Sequence, residues 1–281
     1  MSSEARHATR PPAVAGTFYP APASVLARDL RRLLAHAPAT PTAPAKAIIA
    51  PHAGYVYSGP VAATAYAPLV TRRETIRRVV LLGPTHRVPV NGLALPAASA
   101  FATPLGEVPL DQASCEDILQ LAQVVVSDAA HAYEHSLEVQ LPFLQSVLAD
   151  FSLVPLAVGR ASAEQVAEVL ERLWGGDETL IVISSDLSHY LPYTTACALD
   201  QRTAHHILAL DVHLDHQQAC GATPINGLLL AARRHGLQAQ LVDLRNSGDT
   251  AGDKARVVGY GAFSFFPESR NEQRNAQHPI H

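Results

Sequence analysis

The sequence predicts a single α/β domain with a mostly parallel sheet flanked by helices. Short apolar runs of strand length alternate with longer stretches whose apolar residues recur at helical spacing. Hydrophobic residues make up 48% of the 281 residues and charged residues 16%, which is typical of a globular chain with a sizeable core. We find no internal repeat and no Gly/Ser- or Pro-rich linker that would divide the chain.

The first quarter of the chain predicts two helix–strand pairs. An apolar stripe at helical spacing predicts a helix over 24–35, and the apolar run 47–50 predicts the first strand. A second helix is predicted over 60–70, because Pro60 suits the first helical position, where its missing N–H costs nothing. The run 79–83 predicts the next strand.

The middle of the chain is less regular. Residues 90–110 are rich in Val, Leu, Ala and Pro with turn signals, which indicates short strands. Asp111 can cap a helix over 112–123. Leucines on one face predict a helix over 135–149, which Pro142 should kink.

Strands and helices then alternate regularly. The apolar run 152–158 predicts a strand before a helix over 162–174, and the run 179–184 predicts another strand. Two further helices are predicted over 195–209 and 224–235. This alternation is what favours crossover connections and parallel strands.

The last strands are predicted over 238–244 and 256–266, joined by a Gly-containing loop over 245–253. Two polar tails, residues 1–9 and 267–281, are expected to be flexible.

Composition excludes several classes of protein. A net charge of −4 gives no broad basic face for nucleic acid, and no apolar run reaches the roughly 20 residues that span a bilayer. The N-terminus lacks the apolar core of a signal peptide. The cysteines are three and widely spaced, which argues against a disulfide framework or a Cys-rich zinc site and indicates a reducing, cytoplasmic location. They are Cys115, Cys197 and Cys220.

A histidine follows each of three predicted strands. His52 follows the run 47–50, His86 follows 79–83, and His189 lies five residues after 179–184. Ligands bind outside the carboxyl ends of the strands in open α/β sheets, and imidazole is the commonest metal ligand. The three histidines therefore predict a metal site at one edge of the sheet.

Several carboxylates could complete or support this site, each with a structural alternative. Asp186 can orient a histidine or simply cap the turn before His189, and His189 can be a ligand or an acid–base group. His135 and Glu138 lie one helical turn apart and can line the site or form a surface pair. Asp249 can reach a metal from its Gly-containing loop or serve as a turn residue.

Two neighbours of these candidates, His131 and Glu134, are expected at the surface.

Taken together, eight short strings resemble the Memo family and run in order over residues 10–266. They are Pro-Ala-Val-Ala-Gly-Thr-Phe-Tyr-Pro (12–20), Pro-His-Ala-Gly-Tyr-Val-Tyr-Ser-Gly (51–59), Gly-Pro-Thr-His (83–86), Thr-Pro-Leu-Gly (103–106), Glu-His-Ser-Leu-Glu-Val-Gln-Leu-Pro-Phe-Leu (134–144), Ser-Ser-Asp-Leu-Ser-His-Tyr (184–190), Ala-Cys-Gly (219–221) and Ser-Gly-Asp (247–249). In prokaryotes this looks like protein B of the AmmeMemoRadiSam system.

The resemblance implies a fold like that of the class III extradiol ring-cleaving dioxygenases, which hold Fe(II) with two His and one carboxylate. It places His52 and His86 on the metal positions, and His189 with Asp186 on a position that either supports the metal ligands or performs acid–base catalysis. The animal branch has a late Cys as third ligand, and the matching loop here offers Asp249. That departure favours Fe(II) over copper, with zinc also compatible.

Three more residues are candidates for a supporting or substrate-binding role: His135, Glu138 and Tyr55.

The function predicted is therefore a non-heme Fe(II) dioxygenase-like enzyme that acts on a small catechol-like or enediol substrate. The alternative is a non-catalytic protein that uses the same cleft to bind a peptide or a partner protein. The partners implied by the resemblance are proteins of the AMMECR and radical SAM types, with neither nucleic acid nor membrane involved.

Overall fold

The computed structural model describes residues 9–38 and 43–267. The predicted tails, 1–9 and 267–281, lie outside the described residues except for Thr9 and Pro267. Thr9 pairs with Ala100, and Pro267 pairs with Leu237, so both lie in strands. The strands are β1 (Thr9–Arg10), β2 (Ala47–Ala50), β3 (Arg78–Pro84), β4 (Leu93–Leu95), β5 (Ala100–Thr103), β6 (Gly106–Pro109), β7 (Val124–Val126), β8 (Ser152–Val158), β9 (Thr179–Ser184), β10 (His189–Leu191), β11 (Leu237–Asn246) and β12 (Val257–Pro267).

The helices alternate with these strands along most of the chain. They are α1 (Ala23–His36), α2 (Tyr55–Tyr66), α3 (Gln112–Ile118), α4 (Asp128–Ala132), α5 (Leu141–Val147), α6 (Ala163–Arg172), α7 (Tyr193–Leu208), α8 (Ala222–Arg234) and α9 (Ser247–Thr250), with 3₁₀ turns at Ala67–Arg72 and Glu138–Gln140. Within the described ranges, no helix has the length and apolar character needed to cross a membrane.

The described strands form one nine-stranded sheet and one small three-stranded sheet. The large sheet has the order β10-β12-β2-β9-β3-β8-β4-β7, with β11 also paired to β12, and the small sheet has the order β1-β5-β6. The four central strands β2, β9, β3 and β8 are parallel, whereas β12 and β4 run antiparallel to the centre. The α/β class is thus confirmed, with a sheet that is parallel at its centre and mixed at its margins.

The central strands are apolar on both faces because helices cover both faces. In β3, Val79 and Leu81 pack on one side, and Val80 and Leu82 pack on the other. Helices α1, α2 and α5 cover the first side, and α6, α7 and α8 cover the second. Each such side chain contributes roughly 1.5–3 kcal/mol when it is removed from water, which fixes the register of the sheet.

Three helix predictions differ from the structure: α3 ends at Ile118 instead of reaching 123, and proline explains the other two. Helix α2 begins at Tyr55, so Pro60 lies inside it and removes the single backbone bond to the carbonyl of Val56. The helix expected over 135–149 is instead the 3₁₀ turn Glu138–Gln140 followed by the short α5. Pro142 stands in the first turn of α5, where no N–H is needed, and therefore starts a helix instead of kinking one.

The topology brings the candidate residues together. Strand β9 lies between β2 and β3, and all three are parallel, so their carboxyl ends meet at one edge of the sheet. His52 follows β2, His86 follows β3, and the segment 184–189 follows β9.

Candidate metal centre

Three imidazole rings converge at this edge of the sheet. The ring centroids of His52 and His86 lie 5.3 Å apart, those of His52 and His135 lie 5.3 Å apart, and those of His86 and His135 lie 4.6 Å apart. His52 is almost completely buried, whereas His86 keeps 29% of its side chain exposed. The cluster therefore has a closed side and an open side.

A cysteine from a distant part of the chain joins two of these histidines. Cys220 Sγ lies 3.3 Å from His52 Nε2, and one donor atom from each of His52, His86 and Cys220 lies within 4.8 Å of the others. The backbone N–H of Cys220 donates to the carbonyl of Asp186, and the N–H of Gly221 donates to Ser185 Oγ. A Cβ on Gly221 would lie 2.7 Å from the Cβ of Ser185, so glycine allows the close approach that brings the thiol in.

The hydrogen bonds of Ser184 fix which nitrogen of His52 carries the proton. The Ser184 hydroxyl donates to the carbonyl of Ser136 at 2.5 Å and accepts from Gln140 Nε2 at 2.8 Å. Its only hydrogen is therefore used, so His52 Nδ1, at 2.8 Å, must donate to it. The lone pair of His52 then resides on Nε2, which faces Cys220.

Gln140 is itself held in one orientation. Its Oε1 accepts from the hydroxyl of Tyr66 at 2.7 Å, and its Nε2 also donates to the carbonyl of Pro51 at 3.0 Å. Gln140 is fully buried, so both ends of the amide are satisfied inside the protein. The orientation of His52 is thus set by a chain of buried polar groups.

His86 is oriented by a carboxylate. Its Nδ1 lies 2.8 Å from Glu134 Oε1, and its backbone N–H donates to Glu134 Oε2 at 2.6 Å. The backbone N–H groups of His135 and Ser136 also donate to Oε1. Burial alone would raise the pKa of Glu134, but the bonds and charge of His86 and these N–H groups hold the pKa at about 2. Glu134 is therefore ionised, and it directs the Nε2 lone pair of His86 away from itself.

The electrostatic surroundings keep His52, His135 and the Cys220 thiol neutral at neutral pH. Burial, followed by the charges of His135, His86 and His189, lowers the pKa of His52 well below its usual range. Burial also lowers the pKa of His135 to about 4. Burial raises the pKa of the Cys220 thiol to about 12. His52 and His135 therefore offer lone pairs, and the thiol keeps its proton until a cation displaces it.

The predicted catalytic pair lies beside this group. Asp186 is buried, and its Oδ1 accepts the backbone N–H of His52 at 2.8 Å. Burial raises the pKa of Asp186, and the bonds from His52 and Ala53 and the charge of His189 oppose that rise. His189 begins β10 and is half-buried. It follows β9 by five residues, and β9 lies between β2 and β3, so the structure brings His189 to the same edge.

Three other predicted residues have different contacts. Asp249 caps α9: its Oδ2 accepts the N–H of Asn246, and its Oδ1 accepts the hydroxyl of Tyr193. Two groups of potential ligands occur among the described residues: His52, His86 and Cys220 form one, and His86, Glu134 and His135 form the other. Asp249 belongs to neither group. Cys220, which stands before α8, therefore offers a third donor beside His52 and His86, and the assignment of Asp249 as third ligand stays a prediction.

Glu138 holds the N-terminal segment in place. It forms an ion pair with Arg10 and accepts the N–H groups of Ala13 and Val14 and the hydroxyl of Tyr19. Each carboxylate oxygen thus has two donors, which leaves no lone pair for another ligand.

Tyr55, the remaining candidate, donates its hydroxyl to the carbonyl of Val139 at 2.7 Å.

Sequence reasoning missed Cys220, Glu134, Ser184 and Gln140 as parts of the site. Glu134 and His131 were expected at the surface, yet both are buried, with 2% and 1% exposure. The available signal for the four missed residues was their position inside the matching strings. For example, Glu134 opens one string, and Cys220 is the centre of Ala-Cys-Gly.

Comparison with known proteins gives a consistent result. A family model described as Memo-like protein matches residues 10–264. MEMO1 family proteins of Ignicoccus hospitalis and Archaeoglobus fulgidus are each 38% identical to this chain and cover 91% of it, with 98% and 99% of their own lengths aligned. One of Aquifex aeolicus is also 38% identical, over 89% of this chain and 97% of its own.

Among solved structures, an uncharacterized protein from Escherichia coli K12 superposes with a TM-score of 0.54 at 14% identity. It covers 77% of this chain and 98% of its own length. This likeness shows the fold alone.

Proposed function

The chain belongs to the Memo family, and from that premise we propose that it is a metal-dependent enzyme whose metal ion is held by His52, His86 and Cys220. The reaction proposed is the O₂-dependent oxidation of a small substrate with adjacent oxygen atoms, such as a catechol or an enediol. The reaction class rests on the resemblance to extradiol dioxygenases, and the metal site rests on the geometry of this chain.

The observation that carries the proposal is the preorganisation of the three donor atoms. Each histidine has its Nδ1 engaged by an acceptor, Ser184 for His52 and Glu134 for His86, so each presents Nε2. Such outer hydrogen bonds are what fix metal-ligating histidines in proteins. The residues present therefore fit a metal ion.

The donor set also restricts the ion. Two imidazoles and one thiolate suit iron, copper or zinc, and they do not suit Mg²⁺ or Ca²⁺, which require oxygen ligands. Oxidation by O₂ needs a redox-active ion, so we propose iron or copper. The preference for Fe(II) over copper rested on Asp249 as a carboxylate ligand. With Cys220 as third ligand that preference no longer applies, and iron and copper are equally compatible with the site.

The ion would act as a Lewis acid toward the bound substrate and as an electron donor toward O₂. His189 would take the proton from a substrate hydroxyl, since it lies at the same edge and is not engaged by the Ser184 or Glu134 networks. Asp186 would position the loop of His52 through its bond to the backbone N–H.

Elemental analysis of protein purified without oxygen tests the proposal. We expect about one iron or copper ion per chain, and the release of about one proton per ion at pH 7, because the Cys220 pKa of about 12 keeps the thiol protonated before binding. O₂ uptake is then measured with a panel of catechols and enediols. A loaded protein that consumes no O₂ with any of them would contradict the enzyme and favour the binding alternative.

Asp249→Ala serves as the control for the ligand assignment. It should bind the ion within about twofold of the parent, because the contacts of Asp249 lie in α9 and at Tyr193.

A further inference from the structure

An open cleft of about 640 Å³ adjoins two of the candidate ligands. His86 and Cys220 form part of its wall. The rest comes from the loop after β3, the residues that follow β8, and the first turn of α8 with the loop before it. Its volume lies within the range of small-molecule sites. The cleft therefore gives a small substrate a place beside the metal centre.

The ionisable groups of this cleft are all basic or neutral. Its lining includes Arg160 and His216 and contains neither Asp nor Glu. Asn91, Thr85 and Thr223 add neutral polar groups. With a metal cation at one end, this lining produces a positive potential that selects for anions.

Arg160 has a rigid backbone. Its N–H donates to the carbonyl of Val90 at 2.7 Å, and its carbonyl accepts the N–H of Gly92 at 2.8 Å. A Cβ on the preceding Gly159 would lie 2.1 Å from the Val90 oxygen, so only glycine permits this close contact. The base of the Arg160 side chain is thus held just beyond the carboxyl end of β8, and β8 is the strand that pairs with β3.

The guanidinium of Arg160 has no polar partner among the residues that the structure describes. Among the described residues, no hydrogen bond or ion pair engages it, whereas Arg172 pairs with Asp117 and Arg245 pairs with Asp243. An arginine with a fixed backbone and an unpaired guanidinium presents a planar set of donors that matches a carboxylate in a bidentate way.

From these observations we propose that the cleft binds the carboxylate of a small anionic substrate through Arg160, with the rest of the molecule directed toward His86 and Cys220. The substrate class is thus a carboxylic acid that also carries the oxidisable oxygen atoms. The inference rests on the proposed function, because it names the substrate class of that same site.

Benzoate and its neutral counterpart benzamide test the proposal on the full chain, both metal-free and loaded with zinc. Their binding is followed through the backbone amide shifts of Thr85, Asn91 and Thr223. We expect benzoate to bind at least about tenfold more tightly than benzamide, as a charge-assisted bidentate pair predicts. Arg160→Gln should bring the two affinities within about twofold of each other, and Arg160→Lys should retain part of the preference.

Arg256→Gln is the matched control, because Arg256 is exposed and its guanidinium stacks on Tyr190 outside this cleft. Equal affinities in the parent, or a preference that survives in Arg160→Gln, would overturn the proposal. Zinc affinity is measured separately and should be unaffected by Arg160→Gln. If the parent protein binds no zinc but still prefers benzoate over benzamide, the proposed function alone is refuted. If it binds zinc but shows no preference for benzoate, this inference alone is refuted.

Discussion

Ser184→Ala is the substitution that most sharply separates an organised metal site from a chance cluster of side chains. The Ser184 hydroxyl makes three buried contacts, with His52 Nδ1, Gln140 Nε2 and the carbonyl of Ser136. Alanine removes all three. Gln140 keeps its bond to the Pro51 carbonyl, but His52 Nδ1 and the Ser136 carbonyl lose their partners.

The magnitude follows from these contacts. At about 1 kcal/mol for each lost bond, the free energy of unfolding should fall by about 3 kcal/mol. His52 would no longer be held as the Nδ1–H form, so metal affinity should fall by about 10–100-fold, as for other lost supporting bonds. That range corresponds to about 1.4–2.7 kcal/mol of binding free energy.

Two measurements on each variant check this reasoning. Competitive titration with a chelator gives the metal affinity, and ¹⁵N NMR of the histidine rings in metal-free protein reports which nitrogen of His52 carries the proton. Thr203→Val is the control, since Thr203 is equally buried and, among the described residues, its hydroxyl bonds only the carbonyl of Leu199 in α7. It should cost stability without changing metal affinity. If Ser184→Ala retains the parent's metal affinity and the Nδ1–H form of His52, the orientation argument is wrong.

Three further predictions concern the ligand, the acid–base group and pH. Cys220→Ser should weaken metal binding by at least about 100-fold on chelator titration, whereas Cys115→Ser, which removes an equally protonated buried thiol, should not weaken it. His189→Ala should keep the metal but lower turnover by about 10²–10⁴ in O₂-uptake assays, and loss of the metal would make His189 a ligand instead. Burial lowers the pKa of His131 to about 4, whereas the pKa of an exposed histidine is near 6.5. Below pH 6.5 the unfolded chain therefore binds more protons than the folded protein. The contribution of His131 to the free energy of unfolding is fully present above pH 6.5 and is lost as the pH falls toward 4. The loss should be about 2 kcal/mol between pH 7 and 5. Urea unfolding at both pH values should show this loss reduced in His131→Gln and unchanged in the exposed His213→Gln.

The part of the site that follows from local pattern could be predicted from the sequence. His52 and His86 each follow a run of buried apolar residues, and the ends of parallel strands meet at one edge. Their convergence therefore needed only the correct assignment of β2, β3 and β9.

The part that depends on tertiary closure could not be predicted in the same way. Cys220 lies 168 residues from His52 in sequence, and no local pattern indicates that the loop before α8 packs on the residues after β9. Glu134 stands among polar neighbours, which is typical of a surface turn. It is buried because the N–H groups of His86, His135 and Ser136 converge on its carboxylate.

X-ray absorption spectroscopy of the zinc-loaded protein tests the central claim most directly. If His52, His86 and Cys220 hold the ion, the spectrum should show one sulfur at about 2.3 Å and two imidazole nitrogens at about 2.0–2.1 Å. The sulfur should disappear in Cys220→Ser. A shell made only of nitrogen and oxygen in the parent protein would contradict the assignment of Cys220 and restore a carboxylate as the third ligand.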